Sequence, residues 1–291
     1  MVKNLYNIKH FFSALRFYQW IKNFLIFLPL VLGGEMLNVL SFKKSVVVFF
    51  VFSLAASFIY LLNDMVDLEK DKRHPIKKTR PLASDKLPIS IVKRGAFILG
   101  SIVLIFSFIF DVRIFFIISI YILLNLIYIF FLKNLFLIDV ICLSFSYFLR
   151  ILSGSIIANI TLSKWIVLCV FLLAMFVGFN KRKKDLLLTN ETNNPYFKYD
   201  VSFLNKIIYT ISILVIASYF LYTIEPKVVN RIEGYNMLYT VPFVFYGIFR
   251  YLYIVDKKNL GSDPALIFIK DWKMQLNLLL WLIFCILFIY F

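Results

Sequence analysis

The chain has 291 residues, of which 62% are hydrophobic, 19% aromatic and only 16% charged, and its mean hydropathy is +0.85. This composition excludes an ordinary soluble globular domain and points to a polytopic membrane protein. The net charge of +16 invites a nucleic-acid reading, but the basic residues lie in short segments between apolar runs, where topology and anionic lipid headgroups account for them, so no nucleic-acid partner is expected.

In chain order, the opening "MVKNLYNIKHFFSALRFYQW" carries no cleavable signal pattern and reads as an interfacial amphipathic segment. Arg16, Gln19, Lys22 and Asn23 fall on roughly one face, suited to an interfacial anchor or to contact with a substrate phosphate, for which Lys22 is the candidate. A spanning helix needs about 20 largely apolar residues. Nine candidates follow: 24–41, 45–62, 95–112, 114–132, 135–158, 164–179, 206–224, 237–255 and 273–291. The runs are continuous rather than alternating, which favours helices over a barrel. The expected fold is therefore all-α, one membrane domain over residues 1–291.

With the N-terminus placed in the cytoplasm, inner segments carry twenty-four Lys and Arg and outer segments six. The positive-inside rule then predicts the N-terminus in and the C-terminus out. Cys142, Cys169 and Cys285 sit in apolar runs without paired spacing and read as small buried hydrophobes, neither a disulfide framework nor a zinc site.

One segment breaks the apolar character: "YLLNDMVDLEKDKRHPIKKTRPLASDKLP", residues 60–88. Its N-D-x-x-D-x-x-x-D core begins at Asn63 and spaces Asp64, Asp67 and Asp71 by three and four, within a sector of roughly 60° on an ideal helix, with Glu69 on the other side. Like charges so arranged repel, and a cation between them resolves the conflict. Mg²⁺ suits the cluster because it takes carboxylates together with substrate phosphates and keeps several waters. Arg73, His74, Lys77, Lys78 and Arg80 follow, broken by Pro75 and Pro81 into a loop. An acidic face beside a loop of phosphate-pairing cations is what a magnesium-chelated diphosphate requires.

Inside the apolar runs, ionisable groups are functional candidates. Asp139 and Arg150 are eleven apart, about 16 Å along one side of a helix. Asp139 suits a metal or a ribose hydroxyl, and Arg150 a phosphate or another helix. Asn125, Tyr128 and Lys133 form a stripe toward the same end. Tyr246, Arg250 and Tyr251, with Asp263 and Asp271 beyond, mark a further edge of the mouth.

"NDMVDLEKD" resembles the first aspartate-rich motif of the UbiA superfamily of intramembrane prenyltransferases. The stretches "RFYQWIKNFLIFLPL", "LKNLFLIDVICLSFSYFLRILSG", "FLLAMFVGFNKRKKDLLL", "PFVFYGIFRYLYIV" and "GSDPALIFIKDWKMQLNLLLW" resemble its decaprenyl-phosphate phosphoribosyltransferase branch and cover nearly the whole chain in order. The resemblance implies nine transmembrane helices, a cytoplasmic active site, Mg²⁺ held by Asp64, Asp67 and Asp71, and transfer of phosphoribose from phosphoribosyl pyrophosphate to a polyprenyl phosphate at a bacterial plasma membrane. Where aromatic prenyltransferases carry a second aspartate-rich motif, this chain reads "FNKRKKDLL". Beside the single acid Asp185, the four cations Lys181, Arg182, Lys183 and Lys184 cannot chelate magnesium but can bind a bare phosphate. Isoprenyl transfer to an aromatic acceptor, another activated sugar donor, and ion transport are the competing readings, and a homo-oligomer is left open.

Overall fold

The computed structural model describes residues 2–135, 137–188, 200–232, 234, 236–257 and 264–291, with the side chains of residues 2–5 and 188 set aside. All regular structure among them is helical. Helix α1 (Val2–Ala14) leads through Arg16 into a 3₁₀ segment (Phe17–Phe27) and the short α2 (Leu28–Leu32). There follow α3 (Val39–Val66), α4 (Leu68–Arg73), α5 (Ile89–Phe110), α6 (Val112–Ile127, ending in a π turn over Tyr128–Leu132) and α7 (Ile138–Ala158). The chain closes with α8 (Lys164–Leu188), α9 (Val201–Thr223), α10 (Pro226–Arg231), α11 (Val241–Lys257), α12 (Pro264–Lys270) and α13 (Trp272–Tyr290).

Among the described residues eight helices are long and apolar enough to cross a membrane, and each overlaps one of the expected spans. The expected span at 24–41 is the departure: it is no long helix but the end of the 3₁₀ segment, α2 and a turn through Gly33 and Gly34. The reason lies in register against α3. Trp20 Nε1 donates to Ser57 Oγ at 3.0 Å and Asn23 Nδ2 to Ser53 Oγ at 2.9 Å. Three residues of 3₁₀ helix rise about 6 Å, as do four of α-helix, so the tighter winding lets both polar side chains meet a serine. Rings continue the antiparallel contact, Phe27 lying 5.8 Å from Phe49 and 6.0 Å from Phe42.

The 3₁₀ segment also packs on α7, where a Cβ at Gly154 would run into the backbone carbonyl of Ile26. Such close approach needs glycine. Gly154→Ala is expected to lower stability by about 1–3 kcal/mol through overpacking; a thermal melt unchanged from the parent would show that the two backbones can part at no cost.

Two apolar cores build the bundle. One joins α3, α6 and α7 around Phe52, Ile114, Ile118 and Tyr121; the other joins α8, α9, α11 and α13 around Phe176, Phe179, Tyr219 and Tyr251. A smaller core beneath α1, with Leu61, Leu87 and Val92, seals one end. Large apolar side chains such as Phe97, Ile109 and Ile213 are exposed on the outer faces, as expected for helices whose solvent is lipid. Because successive long helices run antiparallel, the described residues around 64–88, 128–135, 137–139, 181–188 and 264–271 gather at one end.

Candidate active site

Helix α3 is apolar until its last turn, where Asn63 and Asp64 emerge, and the i→i−4 hydrogen bonds run on through Asp67 to Asp71 at 2.9 and 2.8 Å. Helical phase therefore keeps the three aspartates on the inner side: Asp64 and Asp71 are buried, Asp67 is half-buried and Glu69 is exposed. They do not share one cation. Arg80 Nη1 donates to Asp64 Oδ1 at 3.2 Å and to Asp71 Oδ2 at 2.5 Å, bridging the outer pair. Arg16 Nη2 also donates to Asp64 Oδ1. Asp67 instead accepts from Lys133 Nζ, which reaches Asn63 Oδ1 at 3.2 Å as well.

Lys133 reaches Asp67 because of the π turn. Its N–H bonds the carbonyl of Tyr128, five residues back, at 2.9 Å, which brings residue 133 under residue 128 at the mouth. Burial holds the Lys133 amine below its ordinary range, with Asp67 opposing the shift.

A second polar cluster lies around α8. Arg182 donates from Nε to Asp139 Oδ2 at 2.6 Å and from Nη2 to the Tyr128 hydroxyl at 2.9 Å, and its Nη1 lies 3.5 Å from Asp185. Asp139 stands in the first turn of α7, where the helix N-terminus favours an anion. Lys183 pairs with Asp256 at 2.8 Å. The expectation of four bare cations at 181–184 is thus modified: Arg182 and Lys183 spend their charge on carboxylates of this chain. Lys181 differs. It is half-buried, and the charges that act on it are Asp185, Arg182, Lys77 and Lys22. Lys22 of the 3₁₀ segment and Lys77 of the 74–80 loop thus lie within electrostatic reach of Lys181 on α8, and Lys77 is also within reach of Asp71 and Asp67.

His74 bounds that loop. Its Nδ1 accepts from the N–H groups of Ile76 and Lys77 at 3.1 and 3.2 Å, so the imidazole works as a neutral turn cap. Burial first, then the Lys77 charge, pushes its pKa below the ordinary 6.5, and burial likewise lowers that of Lys77. Between the folded and unfolded pKa values of His74 the unfolded chain binds more protons, so its contribution to stability is present above 6.5 and is lost as pH falls toward the folded value. His74→Asn, which keeps an acceptor but does not titrate, should lose less melting temperature than the parent between pH 7 and 5. Parallel curves would remove this role.

The other expected site residues lie apart from these clusters. Arg73 is exposed at the end of α4. Arg250 makes a two-pronged pair with Asp271 at 3.1 and 2.7 Å and pins α11 to the start of α13. Arg150 is buried, donating to Asn23 Oδ1 at 2.6 Å, the Ser146 carbonyl at 2.5 Å and the Tyr121 hydroxyl at 3.3 Å. No carboxylate among the described residues pairs with it, so its charge adds to the positive field deeper in the bundle. Asp263 lies outside the described residues.

The aspartate carboxylates are the candidates for a hard metal such as Mg²⁺ here. Among the described residues no three acidic, His or Cys side chains converge tightly enough to encage an ion. The pair Asp64 and Asp71, held about one guanidinium nitrogen, still fits Mg²⁺, which binds through one or two carboxylates plus substrate phosphates. Further into the bundle, an apolar cavity of about 220 Å³ lies among Leu25, Leu28, Leu173, Phe176, Ile248 and Trp281.

Comparison with known proteins agrees with this architecture. The chain is 32% identical over 285 residues to the decaprenyl-phosphate phosphoribosyltransferase of Mycobacterium tuberculosis (strain CDC 1551 / Oshkosh), covering 93% of this chain and 91% of that one. It is 31% identical over 283 residues to the protein of that name from Corynebacterium glutamicum, covering 94% and 84%. A UbiA homolog from Archaeoglobus fulgidus, solved with GPP and Mg²⁺, superposes with a TM-score of 0.71 over 97% of this chain and all of that one, at 16% identity. The model of the UbiA prenyltransferase family matches residues 26–283. A helical bundle of this shape, with its aspartates at one end and a family match over most of its length, makes the chain a member of the UbiA prenyltransferase family.

Proposed function

We propose that this protein transfers 5-phosphoribose from phosphoribosyl pyrophosphate to a polyprenyl phosphate, releasing pyrophosphate and forming polyprenyl-phosphoryl ribose 5-phosphate for a cell-envelope glycolipid. The observation that carries the reading is the division of charge at the mouth. One acid pair, Asp64 and Asp71, is suited to a metal-bound diphosphate. In the second cluster Arg182 pairs with Asp139 and lies near Asp185, and Lys22, Lys77 and Lys181 add cations in excess of these two acids. A donor diphosphate beside an acceptor monophosphate matches that division. Two isoprenyl-type metal sites do not. The name of the curated relatives, decaprenyl-phosphate phosphoribosyltransferase, supports a polyprenyl phosphate acceptor and a phosphoribosyl group as what is transferred.

In this reading Asp64 and Asp71 would hold Mg²⁺, which neutralises the leaving diphosphate. Arg80 lies between the two carboxylates, where it would contact oxygens of the diphosphate. Lys22, Lys77 and Lys181 grip the lipid phosphate and aim one of its oxygens at the anomeric carbon; the new C–O bond forms there as the bond to diphosphate breaks. An ionised phosphate is already a nucleophile, so no general base is required, consistent with a neutral His74 occupied as a turn cap. The apolar cavity takes the first isoprene units.

The topology follows. The 3₁₀ segment and α2 together rise about 30 Å, a full hydrocarbon thickness, in 16 residues. This would make nine crossings, and the distribution of basic residues supports a site end in the cytoplasm and a C-terminus outside, in a bacterial plasma membrane. Purified protein incubated with Mg²⁺, polyprenyl phosphate and ribose-labelled phosphoribosyl pyrophosphate should move label into the lipid phase. If lipid-phase product forms only with geranyl diphosphate and 4-hydroxybenzoate, the aromatic prenyltransferase reading replaces this one.

A further inference from the structure

Asp64 Oδ1 receives two guanidinium groups, from Arg16 and from Arg80. Two cations on one oxygen repel each other, and a divalent ion at the same carboxylate would sharpen that repulsion. One must then leave. Arg80 is tied to Asp71 as well, at 2.5 Å. Arg16 has Asp64 as its only carboxylate partner among the described residues, and its guanidinium carbon lies over the Tyr60 ring, 5.0 Å from its centre. Its backbone is meanwhile fixed. Arg16 is the left-handed joint (φ 54°, ψ 53°) between α1 and the 3₁₀ segment, held by its N–H on the Ser13 carbonyl at 3.3 Å and by the Gln19 N–H on its own carbonyl at 2.8 Å. The side chain can therefore change partners while the chain around it stays in place.

We propose that Arg16 is a ligand-exchanging counter-ion: it neutralises Asp64 before the divalent cation binds and moves to the diphosphate oxygens of the donor once that cation takes Asp64. The inference rests on the metal-diphosphate reading above and adds a residue outside the aspartate motif to the donor site. It makes Arg16 a competitor of the metal and a partner of the diphosphate, so its removal shifts the two affinities in opposite directions. A purely structural role would weaken both.

The test uses the full chain in detergent micelles and needs neither native substrate. Mn²⁺ binding is followed by electron paramagnetic resonance, and binding of inorganic pyrophosphate in the presence of Mn²⁺ by calorimetry. Arg16→Ala should bind Mn²⁺ at least about fivefold tighter than the parent, within the usual range of a coupling between sites. It should bind pyrophosphate about tenfold or more weaker, the loss of one charged hydrogen bond. If Arg16→Ala does not fold, Arg16→Lys, which keeps the charge but loses the planar fork, must shift both affinities in the same directions by smaller factors. Mn²⁺ affinity that falls or stays unchanged in whichever variant folds overturns the exchange while leaving the metal site standing. A parent protein that binds no Mn²⁺ overturns the metal reading and this one with it.

Discussion

Asp64→Asn and Asp71→Asn are each expected to cut transfer by about 10²–10³-fold, the usual loss when one group that stabilises developing charge is removed. The protein should still insert and fold, because an asparagine oxygen continues to accept from Arg80 and, at position 64, from Arg16. The loss should come from the weakened hold on the cation that neutralises the leaving diphosphate, so raising Mg²⁺ should recover part of the rate. Asp67→Asn should show a smaller deficit, since Asp67 is turned toward Lys133 and Asn63 rather than toward the Arg80 bridge. Unchanged turnover in purified Asp64→Asn would end the claim that this carboxylate serves the reaction.

The largest effect on stability should come from Arg182. Its guanidinium is enclosed by Asp139, Asp185 and Tyr128, and both acids are themselves buried. Arg182→Met leaves two carboxylates near each other without that partner, and breaking a buried pair in this way costs about 3–5 kcal/mol. Adding Asp139→Asn to Arg182→Met should restore much of the loss, because one uncompensated charge is then gone. Equilibrium unfolding of the single and double variants in the same micelle measures both steps. A single variant as stable as the parent would mean that the cluster is open to water and that Arg182 is available to substrate after all.

The sequence revealed some of this and concealed the rest, for physical reasons. Long apolar runs report the solvent directly, so eight spans were legible. The run at 24–41 reads as an α-helix in the sequence because composition does not distinguish 3₁₀ from α winding. Only the register of Trp20 and Asn23 against Ser57 and Ser53 does so. Helical phase separated Asp64, Asp67 and Asp71 from Glu69 correctly, since those residues lie within one or two turns. It could not divide the three acids between Arg80 and Lys133, because Lys133 lies 66 residues from Asp67 and arrives through a π turn. Arg182 misled for the same reason: within "NKRKKD" it looks like one cation among four, and only the packing of α7 on α8 brings Asp139 to it. Arg16 was visible as part of a polar face, yet nothing local linked it to Asp64.

The central claim is that Asp64 and Asp71 jointly hold a divalent ion against a diphosphate. Anomalous diffraction from crystals soaked with Mn²⁺ and inorganic pyrophosphate tests it most directly. A peak about 2.0–2.3 Å from a carboxylate oxygen of each residue, with pyrophosphate oxygens completing the shell, is the predicted result. A peak at Asp139 and Asp185 instead, or pyrophosphate bound by the lysines with no metal at Asp64 and Asp71, would contradict it.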